Sequence, residues 1–554
     1  MRGTAVTMLR TSQPCARQRA GKLTAAAEQP PADIARGIED FLAEHNAAVL
    51  FEEGRPLFDM QETRYSLSQD HGRCTLHLWN EERNLVRRVI SATPRKGSLR
   101  LATTRFGQTK PAMLELVAQA DRRTPTARDT TRRRYAATLE RALQRAFPDW
   151  TGDNFHTAMD LEQSFGPAYA RGVLHRGQDA WAVVGVNAEE SPAIIDGLLT
   201  VGILWLHLCR ERAGGKRLFR GLRLVLPKGS AATTLARLAW MRTDAAQWEL
   251  YELDESTDEL VERDASDTGN LVTKLLHAPD PELAKERFGS AVQQAMALVP
   301  TAMQAHVEQR LRSSTELALL LHGLEFARIR QGASANSFAR TTEITFGAGA
   351  QETPLEPANE PMLRDFVQRL FERRHAGGSQ KDPLFRMHPE AWLESSLRAN
   401  IGPLTDGQGS LAQFNTDHVY AQVPAFQASD RGMLDLLTVT HDGRLAVLEL
   451  KADEDMHFAL QGLDYWLRVR WHHTQTIDPA TGLGTFQRHG YFPGLRLSQE
   501  PPRLYLVAPS LRIHPATQTV LRYFKPEVEW TLLGVGERWR EQMKVVTRLR
   551  SPGH

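Results

Sequence analysis

Two strongly β-prone runs, 433–440 and 444–451, flank His441-Asp442-Gly443, and no other part of the chain restricts its fold so tightly. A three-residue loop with Gly in the left-handed position is a common hairpin turn. It pairs Thr440 with Arg444, and counting outward sets Asp435 opposite Glu449. Side chains alternate across a strand, so Lys451 shares their face. The turn alone therefore gathers two carboxylates and an ammonium at one end of a hairpin. Both faces of the runs are otherwise apolar, as in a sheet covered by helices on each side. Charges at such a place are costly unless paired or metal-bound. Hard carboxylates with an open coordination sphere suit Mg²⁺ or Mn²⁺. A bound divalent ion acidifies water and offsets charge growing on a phosphodiester, and Lys451 is placed to orient that water. The residues read as a phosphodiester hydrolysis site. The plainer alternative is an ion pair of Lys451 with either acid.

Downstream, a helix over 456–470 carries Gln461 and Tyr465 at i, i+4, hence on one face. Upstream, a helix begins after Pro389, and its inward-facing Leu393 and Leu397 aim Glu390 toward the sheet end. Together these residues resemble the PD-(D/E)XK nuclease superfamily, in its RecB-like and mismatch-endonuclease-like branches. Asp435 matches the first metal-binding acid, Glu449-Leu450-Lys451 the E-x-K, and Gln461 with Tyr465 the Q-x-x-x-Y helix. Glu390 looks like the helix-borne acid, with E-x-x-L-x-x-x-L-x-x-N spacing through Asn400. Leu434 stands where the name-giving proline would be. The resemblance covers about residues 385–535. It implies a restriction-endonuclease-like C-terminal domain, 385–550, in which Asp435, Glu449 and the Leu450 carbonyl hold Mg²⁺ or Mn²⁺. Glu390 would add a ligand, Lys451 would activate water, Gln461 would orient the site and Tyr465 would support it. The implied substrate is DNA, or RNA, in repair or defence. The alternative is a non-catalytic nucleic-acid-binding or scaffold protein on the same fold.

Residues 122–272 alternate strands with helices, the pattern of an α/β unit, and look like a second, degenerate copy. Ala182-Val-Val-Gly-Val-Asn aligns without a gap on Ala446-Val-Leu-Glu-Leu-Lys, placing Gly185 at Glu449 and Asn187 at Lys451. By the same alignment Gly197 replaces Gln461, Ala136 replaces Glu390, and Arg171 lies near the position of Asp435. The entry helix carries Arg132, Arg133 and Arg134, a candidate DNA contact or simply a solvated face.

The rest is less informative. With 68 Lys and Arg against 66 Asp and Glu, net charge is +2 over 554 residues, so nucleic-acid contact has to come from local patches. Expected are a disordered tail over 1–32, a small antiparallel β domain behind one helix over 33–121, a helical connector over 273–349, and a linker with a helix over 350–384. The acidic 252–264 reads as a solvated loop, and His472-His473 as a solvent-facing pair. No apolar run approaches the roughly 20 residues needed to cross a bilayer. Cys15, Cys74 and Cys209 lie too far apart for a zinc knuckle or disulfide framework, which favours a cytoplasmic protein. No P-loop is present, and nothing in the pattern fixes a homo-oligomeric state.

Overall fold

The computed structural model describes residues 29–552 except 46–47, 53–54, 62, 70–71, 80–83, 96, 105–110, 119–124, 267–272, 334–339, 349–352, 406–412, 428–432 and 476. The chain divides into two units, Met1–Thr124 and Pro125–His554. In the first, α1 (Pro31–Glu44) buries Ile34, Ala35, Ile38 and Leu42 at helical spacing. Strands β1 (Val49–Glu52), β2 (Arg55–Asp59), β3 (Arg64–Ser68), β4 (Cys74–Trp79), β5 (Asn84–Arg95), β6 (Ser98–Thr104) and β7 (Pro111–Val117) form one sheet. Its order is β2-β1-β7-β6-β5-β4-β3. In β4, alternation puts Cys74, Leu76 and Leu78 inward, against the helix. The expected tail lies outside the described residues as far as 28, but Pro31 and Ala32 belong to α1.

The second unit begins with α2 (Pro125–Ala146), β8 (Thr151–His156), β9 (Tyr169–Arg176), β10 (Asp179–Val186), α3 (Pro192–Asp196), α4 (Leu198–Ala213), β11 (Leu218–Pro227), α5 (Ala232–Leu238), β12 (Gln247–Asp254) and β13 (Glu259–Arg263). The acidic stretch is thus mostly a β12–β13 hairpin rather than a loop, because Leu253 and Leu260 pair across it and pack inward. Next come β14 (Thr273–Leu275), α6 (Pro281–Ala297), α7 (Thr301–Gln304), β15 (Val307–Ser313), β16 (Glu316–Leu321), β17 (Leu324–Ala333), β18 (Arg340–Phe346) and β19 (Thr353–Pro354). The helical connector is therefore wrong beyond residue 304, where an antiparallel sheet replaces it. Short apolar runs such as Leu317 to Leu321 do not distinguish a buried strand from a buried helix. The deciding signal is His322-Gly323: both have positive φ (46° and 75°), and they close a two-residue hairpin between Leu321 and Leu324.

The chain finishes with α8 (Glu360–Arg373), α9 (Pro383–Arg386), α10 (Pro389–Ala399), β20 (Tyr420–Gln427), β21 (Met433–Val439), β22 (Leu445–Leu450), α11 (Phe458–His473), α12 (Thr485–Arg488), β23 (Arg503–Pro509), α13 (Pro515–Leu521), β24 (Trp530–Val535) and β25 (Val545–Arg550). The molecule is a mixed α/β, multi-sheet protein. Among its described residues no helix is long and apolar enough to cross a membrane.

The sheets β8-β9-β10-β11-β12-β13 and β20-β21-β22-β23-β24-β25 share one order, the second adding β14 outside β20. Their pairings also run in the same senses: antiparallel, antiparallel, parallel, parallel, antiparallel. The final prolines Pro227 and Pro509 set the register of β11 against β23, making Leu224 the counterpart of Leu506. Leu224 pairs with Val184, and Leu506 with Glu449. Val184, not Gly185, is therefore the counterpart of Glu449, and Val186, not Asn187, that of Lys451. Burial agrees: Val184 and Val447 both face the α4–α11 layer, whereas Val183 faces α2. The gap-free alignment was one residue out, which in a strand reverses the face. Arg171, opposite Val184, does take the place of Asp435.

Two glycines register the helices. A Cβ on Gly202 would come within 2.8 Å of Leu222 and Leu224, and one on Gly462 within 2.5 Å of Leu506. Both mark the close crossing of helix over strand, so Val201 answers Gln461 and Trp205 answers Tyr465. Gly197 is instead the counterpart of His457, each being the N-cap of its helix.

The two copies pack helix layer to helix layer around one continuous apolar core. Met241 and Phe524, each three residues past its helix end (241 − 238 and 524 − 521), form an antiparallel bridge. Arg242 N donates to Tyr523 O at 2.8 Å and Lys525 N to Trp240 O at 2.9 Å. A Cβ on Gly197 would lie 2.7 Å from the His457 ring. Equivalent residues thus meet each other at two places, the signature of a two-fold axis.

Candidate active site at the C-terminal hairpin

The hairpin has the register that its turn dictates. Gly443 takes φ +80°, its N–H donates to Thr440 O at 2.8 Å, and Thr440 N donates to Arg444 O at 2.8 Å. Val439 pairs with Leu445 and Leu436 with Leu448. One further step sets Asp435 opposite Glu449, and the Leu450 N–H donates to Asp435 Oδ2 at 2.8 Å. Lys451 Nζ lies 3.9 Å from Glu449, 3.8 Å from Glu390 at the first turn of α10, and 3.5 Å from Asp455. From the other side, Gly462 lets α11 approach until its Cβ position is 3.6 Å from that of Glu449. This brings the face of Gln461 and Tyr465 to the site.

The electrostatics follow from burial. Glu449 is 3% exposed, and loss of hydration, then the neighbouring Asp435, raises its pKa well above the ordinary value. The same desolvation pushes Asp435 up to about 7, aided by Glu394 and Glu390 and opposed by the Leu450 N–H and Lys451. Glu390 is raised too, chiefly by desolvation, although Lys451 opposes it. Burial alone would discharge Lys451, but Glu449, Glu390, Asp455 and Asp435 hold it charged and above its usual pKa. Tyr465 is raised by burial and then by the two hairpin acids. Glu449 Oε2 and Gln461 Oε1 are buried without a hydrogen-bond partner.

These features fit a divalent cation. Two acids that resist ionisation side by side, with an unsatisfied carboxylate oxygen, are relieved by a positive charge between them. Mg²⁺ typically takes only one or two protein carboxylates and keeps water or phosphate in its remaining positions. Among the described residues no cluster of three or more His, Cys, Asp or Glu has metal-binding geometry, and the residues that would hold such an ion are the hairpin pair, Asp435 and Glu449. Glu390 sits exposed at the mouth, beside Lys451.

Two functional neighbours escaped the sequence reading. Glu394, one turn beyond Glu390 and 3% exposed, meets Arg310 at 2.7 Å and accepts a bond from Gln422 Nε2 at 2.9 Å. Its charge helps to raise Asp435. The signal was an acid within the apolar stripe of Leu393 and Leu397. Asp455 lies in the irregular segment between β22 and α11, where no periodicity announces its contact with Lys451.

The arginines of α2 are less available than their number suggested. Arg132 is bonded to Glu190 at 2.7 Å and Arg133 to Asp129 at 2.7 Å, while Arg134 is exposed. His472 and His473 are buried, not solvent-facing, because the end of α11 is covered by β14 and α12: His472 Nε2 lies 3.2 Å from Thr273 Oγ1, and burial lowers its pKa to about 4.

At the corresponding end of the middle sheet, Arg171 is 1% exposed and donates to the carbonyls of Ala158, Gly166 and Tyr169. Its guanidinium lies 4.6 Å from the centre of the Phe165 ring. The charge there is turned onto its own backbone. No protein-family model matches this chain, and no curated protein matches it.

Proposed function

We propose that the protein hydrolyses phosphodiester bonds of DNA, on a restriction-endonuclease-like C-terminal domain, with Asp435, Glu449 and Lys451 as its catalytic centre. One observation carries this reading: a fully buried Glu449, with an unsatisfied oxygen, opposite a second acid and beside a charged lysine. Asp435, Glu449 and the Leu450 carbonyl would hold Mg²⁺ or Mn²⁺, which when bound supplies charge neutralisation at the phosphate and acidifies water. Lys451 holds the attacking water by its lone pair and stabilises negative charge on the phosphoryl oxygens. Gln461 offers its free amide oxygen to orient that water, and Tyr465 closes the apolar side. Glu390 places a further carboxylate at the mouth. RNA offers the same bond to the same groups.

The test is purified wild type with Mg²⁺ or Mn²⁺ on linear, single-stranded and branched DNA, beside Asp435→Ala and Lys451→Ala. Cleavage that survives both substitutions would remove this site from the chemistry. The second reading, a non-catalytic nucleic-acid-binding scaffold, is favoured by the three carboxylates within 4.0 Å of Lys451, which suffice for a structural ion network. Tight DNA binding without cutting, and no thermal shift on adding Mg²⁺, would select it.

A further inference from the structure

The two copies are built like the halves of a two-fold dimer fused into one chain. Met241 faces Phe524 and Gly197 faces His457, equivalent against equivalent. The chemistry-bearing strand ends lie beside this axis. On one side, His457 N donates to Asp455 Oδ1 at 2.7 Å, and Asp455 touches Lys451. On the other, Gly197 lies against Tyr169, which pairs with Val186 at the end of β10.

Among the described residues, the acid–acid–lysine set stands at one of these ends and not at the other. Glu449, Lys451 and Gln461 are answered by Val184, Val186 and Val201, and Asp435 by Arg171, whose two terminal nitrogens are bonded to backbone carbonyls. Nor can a second centre be recruited through the same face. That face is already filled: the helix layers share one apolar core, and Arg237 of the middle copy makes a bidentate pair with Asp464 of α11 at 2.7 and 2.8 Å.

Duplex DNA is itself two-fold symmetric, and a two-fold protein engages it with equivalent parts on its two strands. Resting on the phosphodiesterase reading above, we propose that the substrate is duplex DNA, held astride the internal two-fold by both copies and cut on one strand only. Each event adds one water across one P–O ester bond. The water oxygen stays on phosphorus, and the departing sugar oxygen takes a proton.

Two measurements on the full chain test this. In metal-free buffer, sedimentation with a short duplex should give one chain per duplex, and footprinting should show protection of both strands. With Mg²⁺, supercoiled plasmid should convert to nicked circles, linear DNA appearing only after a lag. Linear product formed without a nicked precursor, or two chains per duplex, overturns the proposal. Cutting of single-stranded circles alone also overturns it while leaving the nuclease reading intact. If no DNA is cut and wild type matches Lys451→Ala, both readings fall together.

Discussion

The middle and C-terminal sheets share strand order, sense and helix placement, yet one ends in two acids and a lysine and the other in valines. The comparison is an internal control on what the architecture requires. Val184 and Val186 are fully buried where Glu449 and Lys451 stand, so the fold itself has no need of charge at those two positions, although Arg171 keeps one at the place of Asp435. Buried charges are commonly replaceable by packed apolar groups at no loss of stability. Groups that the architecture does not require, kept where burial penalises them, are what the proposed phosphodiesterase reading accounts for.

The largest expected break in this comparison comes from giving the C-terminal sheet the residue that the middle sheet carries. Glu449→Val should reduce DNA cleavage by roughly 10²–10³-fold, the scale for losing one preorganised electrostatic group, while calorimetry finds the melting temperature little changed, since relief of two adjacent acids offsets the loss of one partner of Lys451. A variant that cuts normally removes Glu449 from the reaction.

Next in size is the joint between the copies. Arg237 is buried against Asp464, and Arg237→Ala strands that carboxylate. Urea unfolding should register a loss of about 3–5 kcal/mol, and a loss below 1 kcal/mol would mean that the copies do not lean on this pair.

The third contrast is with pH. The folded pKa of Asp435, about 7, lies above its ordinary 3.8. Stability from this group is therefore fully present below the unfolded pKa and is lost as pH rises through 7. Metal-free protein should lose melting temperature between pH 5 and pH 8 relative to Asp435→Asn, and Mg²⁺ should recover the difference in wild type alone. Parallel profiles for the two proteins would refute the assignment.

The smallest effect concerns the helix crossings. Gly202→Ala and Gly462→Ala should each cost about 1 kcal/mol, an overpacking penalty of roughly 1–3 kcal/mol less the helical preference of Ala. Unequal losses would show that the two crossings are not equivalent.

How much of this was legible in the sequence depended on whether the signal was local. The hairpin register followed from a turn whose glycine requires positive φ, and alternation did the rest. The strands β10, β11 and β12 of the middle copy and the helices between them were legible from periodicity, but β8, β9 and β13 were not, nor was its registration on the C-terminal copy. Val186 to Gly202 spans 16 residues and Lys451 to Gly462 spans 11 (202 − 186 and 462 − 451), because α3 is inserted before α4. A match without gaps has to slip somewhere across such an insertion. The β15–β18 sheet was misread because its inward residues run continuously instead of alternating. Glu394 and Arg310 are 84 residues apart (394 − 310) and meet only through tertiary packing, which no local pattern announces.

The shared apolar layer also bears on how the molecule can be dissected. A fragment trimmed to its C-terminal half would bare the greasy sides of α13 and α11 that now rest on α4 and α5. Such a fragment should precipitate or pair with itself. Supplying the missing half as a separate polypeptide, as in split-protein complementation, should restore it to solution.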